Sequence, residues 1–175
     1  MNYAQLRAHD VANGPGVRVS LFVSGCTHRC PGCFNAEAWD FGYGQPFDDS
    51  VADNIIKAME PSYVKGFSLL GGEPFEPCNQ AVLAPLLERI KREYPHKTVW
   101  CYTGYSLDTD ILTYRLGDAE ITRKMISNID VLVDGKFILE QKDLSLRFRG
   151  SANQRIIDVP RSLLEGKVVL IEEYN

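Results

Sequence analysis

The sequence predicts an α/β fold: a single domain over residues 1–175, built as a partial, incomplete βα barrel with a mainly parallel sheet. The first observation is that strand patterns and helix patterns alternate along the chain, which is typical of parallel sheets with helices outside. The second is the length, because 175 residues fall short of the roughly 200–250 that a complete (βα)8 barrel needs. No linker or internal repeat divides the chain, so one domain is expected.

The individual elements follow from local patterns. The first strand, Val17–Val23, is apolar and β-branched, and it is entered through the turn residues 13–16. A helix is predicted at 50–60, and a second at 80–94, where apolar side chains recur at helical spacing. The remaining predicted elements are strands at 66–70, 98–102 and 129–133, a helix at 110–127 interrupted near Gly117, and short strands at 155–159 and 167–171.

Charge and hydropathy argue against several classes of function. The net charge of −4 and the pI near 5.4 give no general attraction to nucleic acid or to an anionic membrane. No apolar stretch approaches the roughly 20 residues of a membrane-spanning helix, and the first ten residues lack a signal-peptide core. We therefore expect a cytoplasmic protein with neither nucleic acid nor membrane among its partners.

A cluster of cysteines is the strongest chemical signal in the chain. Three of the five cysteines, Cys26, Cys30 and Cys33, have the spacing C-x3-C-x2-C. In a reducing cytosol, a clustered and odd number of cysteines indicates metal binding rather than disulfides. Closed iron–sulfur and structural zinc sites take four protein ligands, so three thiolates on a cubane cluster leave one iron open. An open iron can bind a substrate or cofactor, which indicates chemistry rather than scaffolding.

A structural zinc site is the alternative interpretation of this segment. His28, inside the cysteine loop, is the one nearby residue that would complete a Cys3His site. Otherwise His28 is predicted to be an exposed loop residue. Cys78 and Cys101 are predicted to be ordinary thiols rather than ligands.

Further polar and glycine-rich segments follow the other predicted strands. Gly71–Pro74 follows the second strand, Thr103–Tyr105 the third, and Asp134–Lys136 the fourth. Because ligands of parallel sheets bind at the carboxyl ends of strands, we expect these loops to converge on one site. The glycines permit close approach of a ligand, and carbonyls beside the Glu73 carboxylate can receive an ammonium group. A tight turn with a capping glutamate is the alternative.

Taken together, these motifs resemble the glycyl-radical-enzyme activases, a group of the radical S-adenosylmethionine (SAM) enzymes. The resemblance is carried by Asn13-Gly14-Pro15-Gly16-x-Arg18, by the cysteine triplet and by Gly71–Pro74. Residues 133–137 and 149–155 further resemble the branch of that family that activates anaerobic ribonucleoside-triphosphate reductase. The resemblance covers nearly the whole chain and is least clear at 108–125.

The resemblance implies a fold of radical SAM type and a mechanism. The three clustered cysteines would hold one [4Fe-4S] cluster per chain, whose open iron would chelate SAM. Reductive cleavage of SAM would give methionine and a 5′-deoxyadenosyl radical, which would take hydrogen from a glycine Cα of the reductase. The residues implied to contact the cofactors are Gly32, Cys33, Phe34, Gly71, Gly72, Glu73 and Lys136.

The implied partners are the large, glycyl-radical subunit of the anaerobic reductase and a flavodoxin-like electron donor. Two alternatives stay open: an activase of another glycyl radical enzyme such as pyruvate formate-lyase, and a small iron–sulfur electron carrier. Arg149, Ser151, Asn153 and Arg155 would contact SAM or the reductase, or else make local turn bonds. Related activases place an aspartate where this chain has Tyr102, so a cation site shared with them is not expected.

Overall fold

A computed structural model describes all residues, Met1–Asn175. It contains one seven-stranded sheet in the order β3-β1-β2-β4-β5-β6-β7. The strands are β1 (Asn2–Asp10), β2 (Val17–Val23), β3 (Gln45–Pro46), β4 (Val64–Gly71), β5 (Thr98–Tyr102), β6 (Val131–Asp134) and β7 (Arg155–Asp158). The helices are α1 (Asp49–Met59), α2 (Pro77–Glu93), α3 (Ala119–Ser127) and α4 (Val159–Glu165). None of these helices has the length and hydrophobicity needed to cross a bilayer.

The four central strands, β2, β4, β5 and β6, are parallel, as the alternation of strand and helix predicts. Antiparallel strands flank them, with β1 and β3 beyond β2 and β7 beyond β6. The α/β class is therefore confirmed, and the parallel pairing is confined to the middle of the sheet. The carboxyl ends of all four parallel strands lie at the same edge.

Three sequence-based assignments are wrong. Strand β1 was not expected, because its side chains, of which only Asp10 is buried, give no apolar alternation. Residues 167–171 form no strand and contribute only an isolated bridge between Ile157 and Leu170. The helix predicted at 110–127 is restricted to α3, since a short 3-10 helix before it ends at Tyr114, whose φ is +55°. The side chain of Asp118 then caps α3 by accepting hydrogen bonds from two backbone N–H groups.

The two faces of the sheet are packed differently. The main hydrophobic core lies between the sheet and the helices and contains 26 buried residues, whereas the opposite face has a cluster of only four. That small cluster is centred on Trp100, which contacts Phe148 and Tyr174 from the C-terminal third of the chain. The second face therefore has room for a site.

A buried arginine holds the turn before β2 against this second face. Arg18 is fully buried, and its guanidinium donates to the Ser68 hydroxyl (2.7 Å) and to the carbonyls of Phe67 and Thr98 (both 2.8 Å). Burial lowers its pKa to about 10, so it stays charged at neutral pH. The Ser68 hydroxyl donates in turn to the Asn13 carbonyl (2.5 Å). The glycine-rich turn is thereby tied to three strands.

Candidate active site

The carboxyl ends of the parallel strands border a cavity of about 530 Å³. The loops that follow β2, β4, β5 and β6 all contribute to its wall, and residues 142–150 close another side. This is the edge at which ligands of open parallel sheets bind. The structure thus brings the four glycine-rich and polar loops together around one space.

The three clustered thiols all line this cavity, and they belong to Cys26, Cys30 and Cys33. Cys26, the first of them, is buried, and the other two are half-buried. The backbone N–H of Cys26 donates to the Trp39 carbonyl (3.2 Å), which fixes the start of the loop. The two remaining cysteines lie elsewhere: Cys78 is exposed on α2, and Cys101 is buried in the main core.

Burial changes the pKa of two of these thiols. Burial raises the pKa of Cys26 to about 11. Burial also raises the pKa of Cys30, although the Phe137 N–H and the Lys136 charge oppose that shift. Because a bound metal deprotonates a coordinating thiol, such thiols become ligands when the metal supplies the charge.

The geometry of the loop also bears on the kind of metal centre. No three His, Cys, Asp or Glu side chains converge on one ion position. A cubane cluster binds each thiolate through a different iron, so its ligands need not converge in that way. The three thiols on the cavity wall therefore fit a [4Fe-4S] cluster. His28, which a Cys3His zinc site would need, lies against Glu73.

Glu73 is buried at the cavity wall, and the protein already uses both of its carboxylate oxygens. Oε1 accepts hydrogen bonds from the Phe75 N–H (2.9 Å) and the Thr103 hydroxyl (2.7 Å). Oε2 accepts one from the Gly104 N–H (2.7 Å). Glu73 therefore joins the loop after β4 to the loop after β5.

His28 is not the exposed loop residue that the sequence predicts, because its side chain is only 7 % exposed. Its Nε2 lies 3.1 Å from Oε2 of Glu73, in an orientation that is not a well-aligned hydrogen bond. The ring packs edge-on to Tyr105, with centroids 4.4 Å apart. It also covers Gly104, where an added Cβ would lie 2.4 Å from the imidazole Cδ2. His28 thus pins the cysteine loop to two neighbouring loops.

A second carboxylate holds the same loop. Oε1 of Glu76 accepts hydrogen bonds from both the backbone N–H (2.7 Å) and the hydroxyl (2.5 Å) of Thr27. Glu76 was not predicted as a site residue. Its position, three residues after Glu73, was the sequence feature that could have indicated its role. The first residues after Cys26 are therefore held by two glutamates from one segment.

The glycines at the cavity wall permit close backbone packing. Gly71 has φ +113°, and an added Cβ would lie 2.5 Å from the backbone nitrogen of Val23. At Gly72 an added Cβ would lie 2.5 Å from the Gly25 carbonyl oxygen. Gly32 has φ +72°, a backbone conformation that residues other than glycine rarely adopt, and it faces the Leu139 side chain. These positions need glycine for packing within the protein itself.

Two of the predicted cofactor contacts, Phe34 and Lys136, lie in different places relative to the cavity. Phe34 lines the cavity but is 86 % exposed. Lys136 is exposed and does not line the cavity, although its charge acts on Cys30. Near it in the chain, the buried Asp134 carboxylate accepts two hydrogen bonds from Arg155 (2.9 and 2.6 Å).

The Arg149–Arg155 segment mostly makes local bonds. The Ser151 hydroxyl donates to the side-chain oxygen of Asn153 (2.7 Å), and Asn153 donates to the Lys136 carbonyl (2.8 Å). Arg149 is the exception, because it lines the cavity and its buried Nε has no hydrogen-bond partner. Of this segment, Arg149 is the residue placed to meet a ligand.

Tyr102 also presents an unpaired polar atom at the cavity. Its hydroxyl is buried without a hydrogen-bond partner, and burial raises its pKa. Buried polar groups in proteins nearly always have partners. A ligand in the cavity would supply the partners that Tyr102 and Arg149 lack.

Comparisons with known proteins give one matching family model and several similar proteins. A family model described as "4Fe-4S single cluster domain" matches residues 12–157. The anaerobic ribonucleoside-triphosphate reductase-activating protein of Haemophilus influenzae is 48 % identical over 158 residues, which are 89 % of this chain and 97 % of that protein. The protein of the same name from Escherichia coli K12 is 45 % identical, over 88 % of this chain and 96 % of its own. That of enterobacteria phage T4 is 36 % identical, over 89 % and 93 %.

Proposed function

The chain belongs to the family of anaerobic ribonucleoside-triphosphate reductase-activating proteins, and we propose that it activates such a reductase by installing a glycyl radical on it. The observation that carries this proposal is the position of Cys26, Cys30 and Cys33 on one cavity wall at the carboxyl ends of the parallel strands. The spacing of these thiols supplies three cluster ligands and leaves one iron open. The protein is accordingly an activating enzyme, an oxidoreductase.

The three clustered cysteines hold one [4Fe-4S] cluster per chain. When bound, the cluster would supply one electron for the reductive cleavage of SAM to methionine, and the 5′-deoxyadenosyl group would accept a hydrogen atom from a glycine Cα of the reductase. His28 and Thr27 hold the cysteine loop against Glu73 and Glu76. This positioning keeps the thiols at the cavity rather than in solvent.

The SAM site lies beside the cluster. Gly71 and Gly72 let the backbone approach the cofactor, and the Gly72 carbonyl, which accepts no hydrogen bond within the protein, is available for its ammonium group. Glu73 supports that position through its bonds to the neighbouring loop and adds negative charge. Gly32 and Phe34 border the cofactor from the cysteine loop. The cationic residue for the SAM carboxylate is Lys136, whose charge already reaches Cys30.

The whole chain, residues 1–175, is a single radical SAM domain with a partial βα barrel. The order β2-β4-β5-β6 with parallel pairing supports this assignment. So does the face opposite the helices, which has only a small cluster of its own.

The partner is the large, glycyl-radical subunit of the reductase. As the electron donor we propose a flavodoxin-like protein. We place the protein in the cytoplasm, where reducing conditions keep the thiols free. Neither nucleic acid nor a membrane is among the partners we propose, in line with the net charge of −4.

Two alternatives share part of this chemistry. An activase of pyruvate formate-lyase would use the same cluster but act on another enzyme. A small electron carrier would need no cavity beside its cluster and would have a fourth cysteine ligand. The cavity next to three thiols favours the activase.

Anaerobic reconstitution tests the chemistry. The protein is loaded with iron and sulfide, reduced with dithionite and mixed with SAM, and 5′-deoxyadenosine and methionine are measured. Formation of both in equal amounts supports the proposal. A loaded and reduced cluster that cleaves no SAM, even with the reductase present, would refute it and favour an electron carrier.

A further inference from the structure

The loop of residues 142–150 stands beside the mouth of the cavity as a projecting hairpin. Its two ends are joined by an antiparallel bridge between Lys142 and Ser151. Inside that bridge the Asp143 N–H donates to the Gly150 carbonyl (3.4 Å). The hairpin is not part of the sheet, and residues 142–145 are exposed. Its tip is therefore accessible to another molecule.

The base of this hairpin is firmly anchored. Phe148 packs edge-to-face on Trp100 of β5 and on Tyr174 near the C-terminus, with ring centroids 5.3 Å apart in both pairs. Arg149 donates to the Gln154 carbonyl (2.6 Å) and to the side-chain oxygen of Asn175 (3.1 Å). Because the sheet and the C-terminal residues both hold it, the hairpin presents its tip in one place.

The tip carries an exposed apolar side chain. Leu144 is 90 % exposed, next to a turn in which Asp143 accepts hydrogen bonds from the N–H (2.8 Å) and hydroxyl (2.7 Å) of Ser145. Phe34, which is 86 % exposed, borders the same cavity from the cysteine loop. Large apolar side chains exposed together around a cavity mouth indicate a surface that a partner covers.

The charges of the hairpin differ from those of the chain as a whole. Lys142, Arg147 and Arg149 accompany a single carboxylate, Asp143, whereas the whole chain has a net charge of −4. Lys142 and Arg149 form no ion pair, and Arg147 has only Glu173 at 3.7 Å. Cations with few ion-pair partners on the same hairpin as an exposed apolar side chain fit a partner that carries acidic side chains beside apolar ones.

We propose that the 142–150 hairpin, with Leu144 at its tip, is the docking site for the glycine-bearing segment of the reductase. This inference rests on the proposed function, because hydrogen abstraction requires a Cα of the partner to enter the cavity. The hairpin and Phe34 flank the entrance that this Cα has to pass. The partner segment then carries an apolar side chain for the tip and acidic side chains for the surrounding cations.

The test compares Leu144→Asp with Leu164→Asp in the full-length, cluster-loaded protein. Leu164 is the matched control, since it is 87 % exposed but lies on α4, away from the cavity. Binding to the glycyl-radical subunit of the same organism's reductase is measured anaerobically at low and high salt. SAM cleavage by each protein is measured in parallel, with dithionite as the reductant and no reductase present. Size-exclusion chromatography reports the oligomeric state.

We expect Leu144→Asp to weaken reductase binding by about tenfold or more, as loss of a central apolar contact does. Because Leu144 also borders the cavity, binding is compared with SAM absent, so that an effect on SAM does not enter the comparison. Leu164→Asp binds normally, and wild-type binding weakens with salt. Equal binding by Leu144→Asp and wild type would overturn the docking site while leaving the proposed function intact. A wild-type dimer that this change dissociates would also overturn it. A wild-type protein that neither cleaves SAM nor binds the reductase would overturn both proposals.

Discussion

The imidazole Nε2 of His28 lies 3.1 Å from the carboxylate Oε2 of Glu73, and this contact joins the cysteine loop to the end of β4. The same carboxylate accepts hydrogen bonds from Thr103 and Gly104 in the loop after β5. One buried glutamate therefore sets the relative positions of three loops around the cavity. Its role in the protein is first of all to position those loops, and the proposed cofactor contacts depend on that.

Replacing His28 by alanine is expected to loosen the cysteine loop and make the cluster labile. The change removes a packed ring next to Tyr105 and Gly104 and leaves a void. We expect faster removal of iron by a chelator and a broadened EPR signal of the reduced cluster, with partial recovery in His28→Gln. His9→Ala is the control, because His9 is exposed and bonds only Tyr63. Wild-type iron retention in His28→Ala would contradict the positioning role.

The contact between His28 and Gly104 can be tested by itself. Gly104→Ala places a methyl group 2.4 Å from the imidazole, so the ring has to move and cluster retention should fall. In the double variant His28→Ala/Gly104→Ala the clash is absent. We therefore expect its cluster retention to match that of His28→Ala alone, whereas independent effects would add.

Cys26→Ala, Cys30→Ala and Cys33→Ala are each expected to abolish SAM cleavage and to lower bound iron. A cluster held by two thiolates loses a third of its protein ligands, and no other cysteine lines the cavity to replace one. Cys78→Ser is the control, since that thiol is exposed on α2. Iron and sulfide analysis with the absorbance near 400 nm gives the readout, and full activity in any of the three variants would refute the ligand assignment.

Glu73→Gln should destabilise the protein even without a cluster. The amide keeps one acceptor oxygen and puts two N–H donors where Glu73 now accepts a bond from the Gly104 N–H. An unsatisfied buried donor costs about 1–3 kcal/mol, so we expect the free energy of unfolding to fall by about 2 kcal/mol. Urea denaturation of the metal-free, reduced protein measures this. Glu88→Gln, which removes only a half-exposed pair with Lys124, should cost less than about 1 kcal/mol, and equal losses in both variants would contradict the account.

Local sequence patterns predicted the cysteine loop and the glycine-rich loops of the site. The cysteine spacing and the glycine-rich strand ends stand next to recognisable strands, and parallel topology brings such ends together. Sequence reasoning placed His28 in solvent because its partners, Glu73 and Tyr105, lie about fifty and eighty residues away along the chain. Strand β1 was missed for a related reason, since a strand near the edge of the sheet with partly exposed side chains carries little apolar pattern.

The same limit applies to Asp134 and Lys136. Both lie at the end of β6, but Arg155, from the antiparallel strand β7, pairs with the Asp134 carboxylate. That ion pair forms because β7 runs antiparallel to β6, and no local sequence pattern specifies the direction of β7. Lys136 is left exposed, and its contact with SAM stays a prediction.

The most direct measurement of the central claim is the EPR spectrum of the reductase after activation. The glycyl-radical subunit is incubated anaerobically with the cluster-loaded protein, SAM and a reductant, alongside a sample containing Cys30→Ala. We predict a glycyl-radical EPR signal that is split into a doublet by the remaining Cα hydrogen. This signal forms only with the wild-type protein and requires SAM. A wild-type protein that cleaves SAM yet leaves the reductase without this doublet would contradict it.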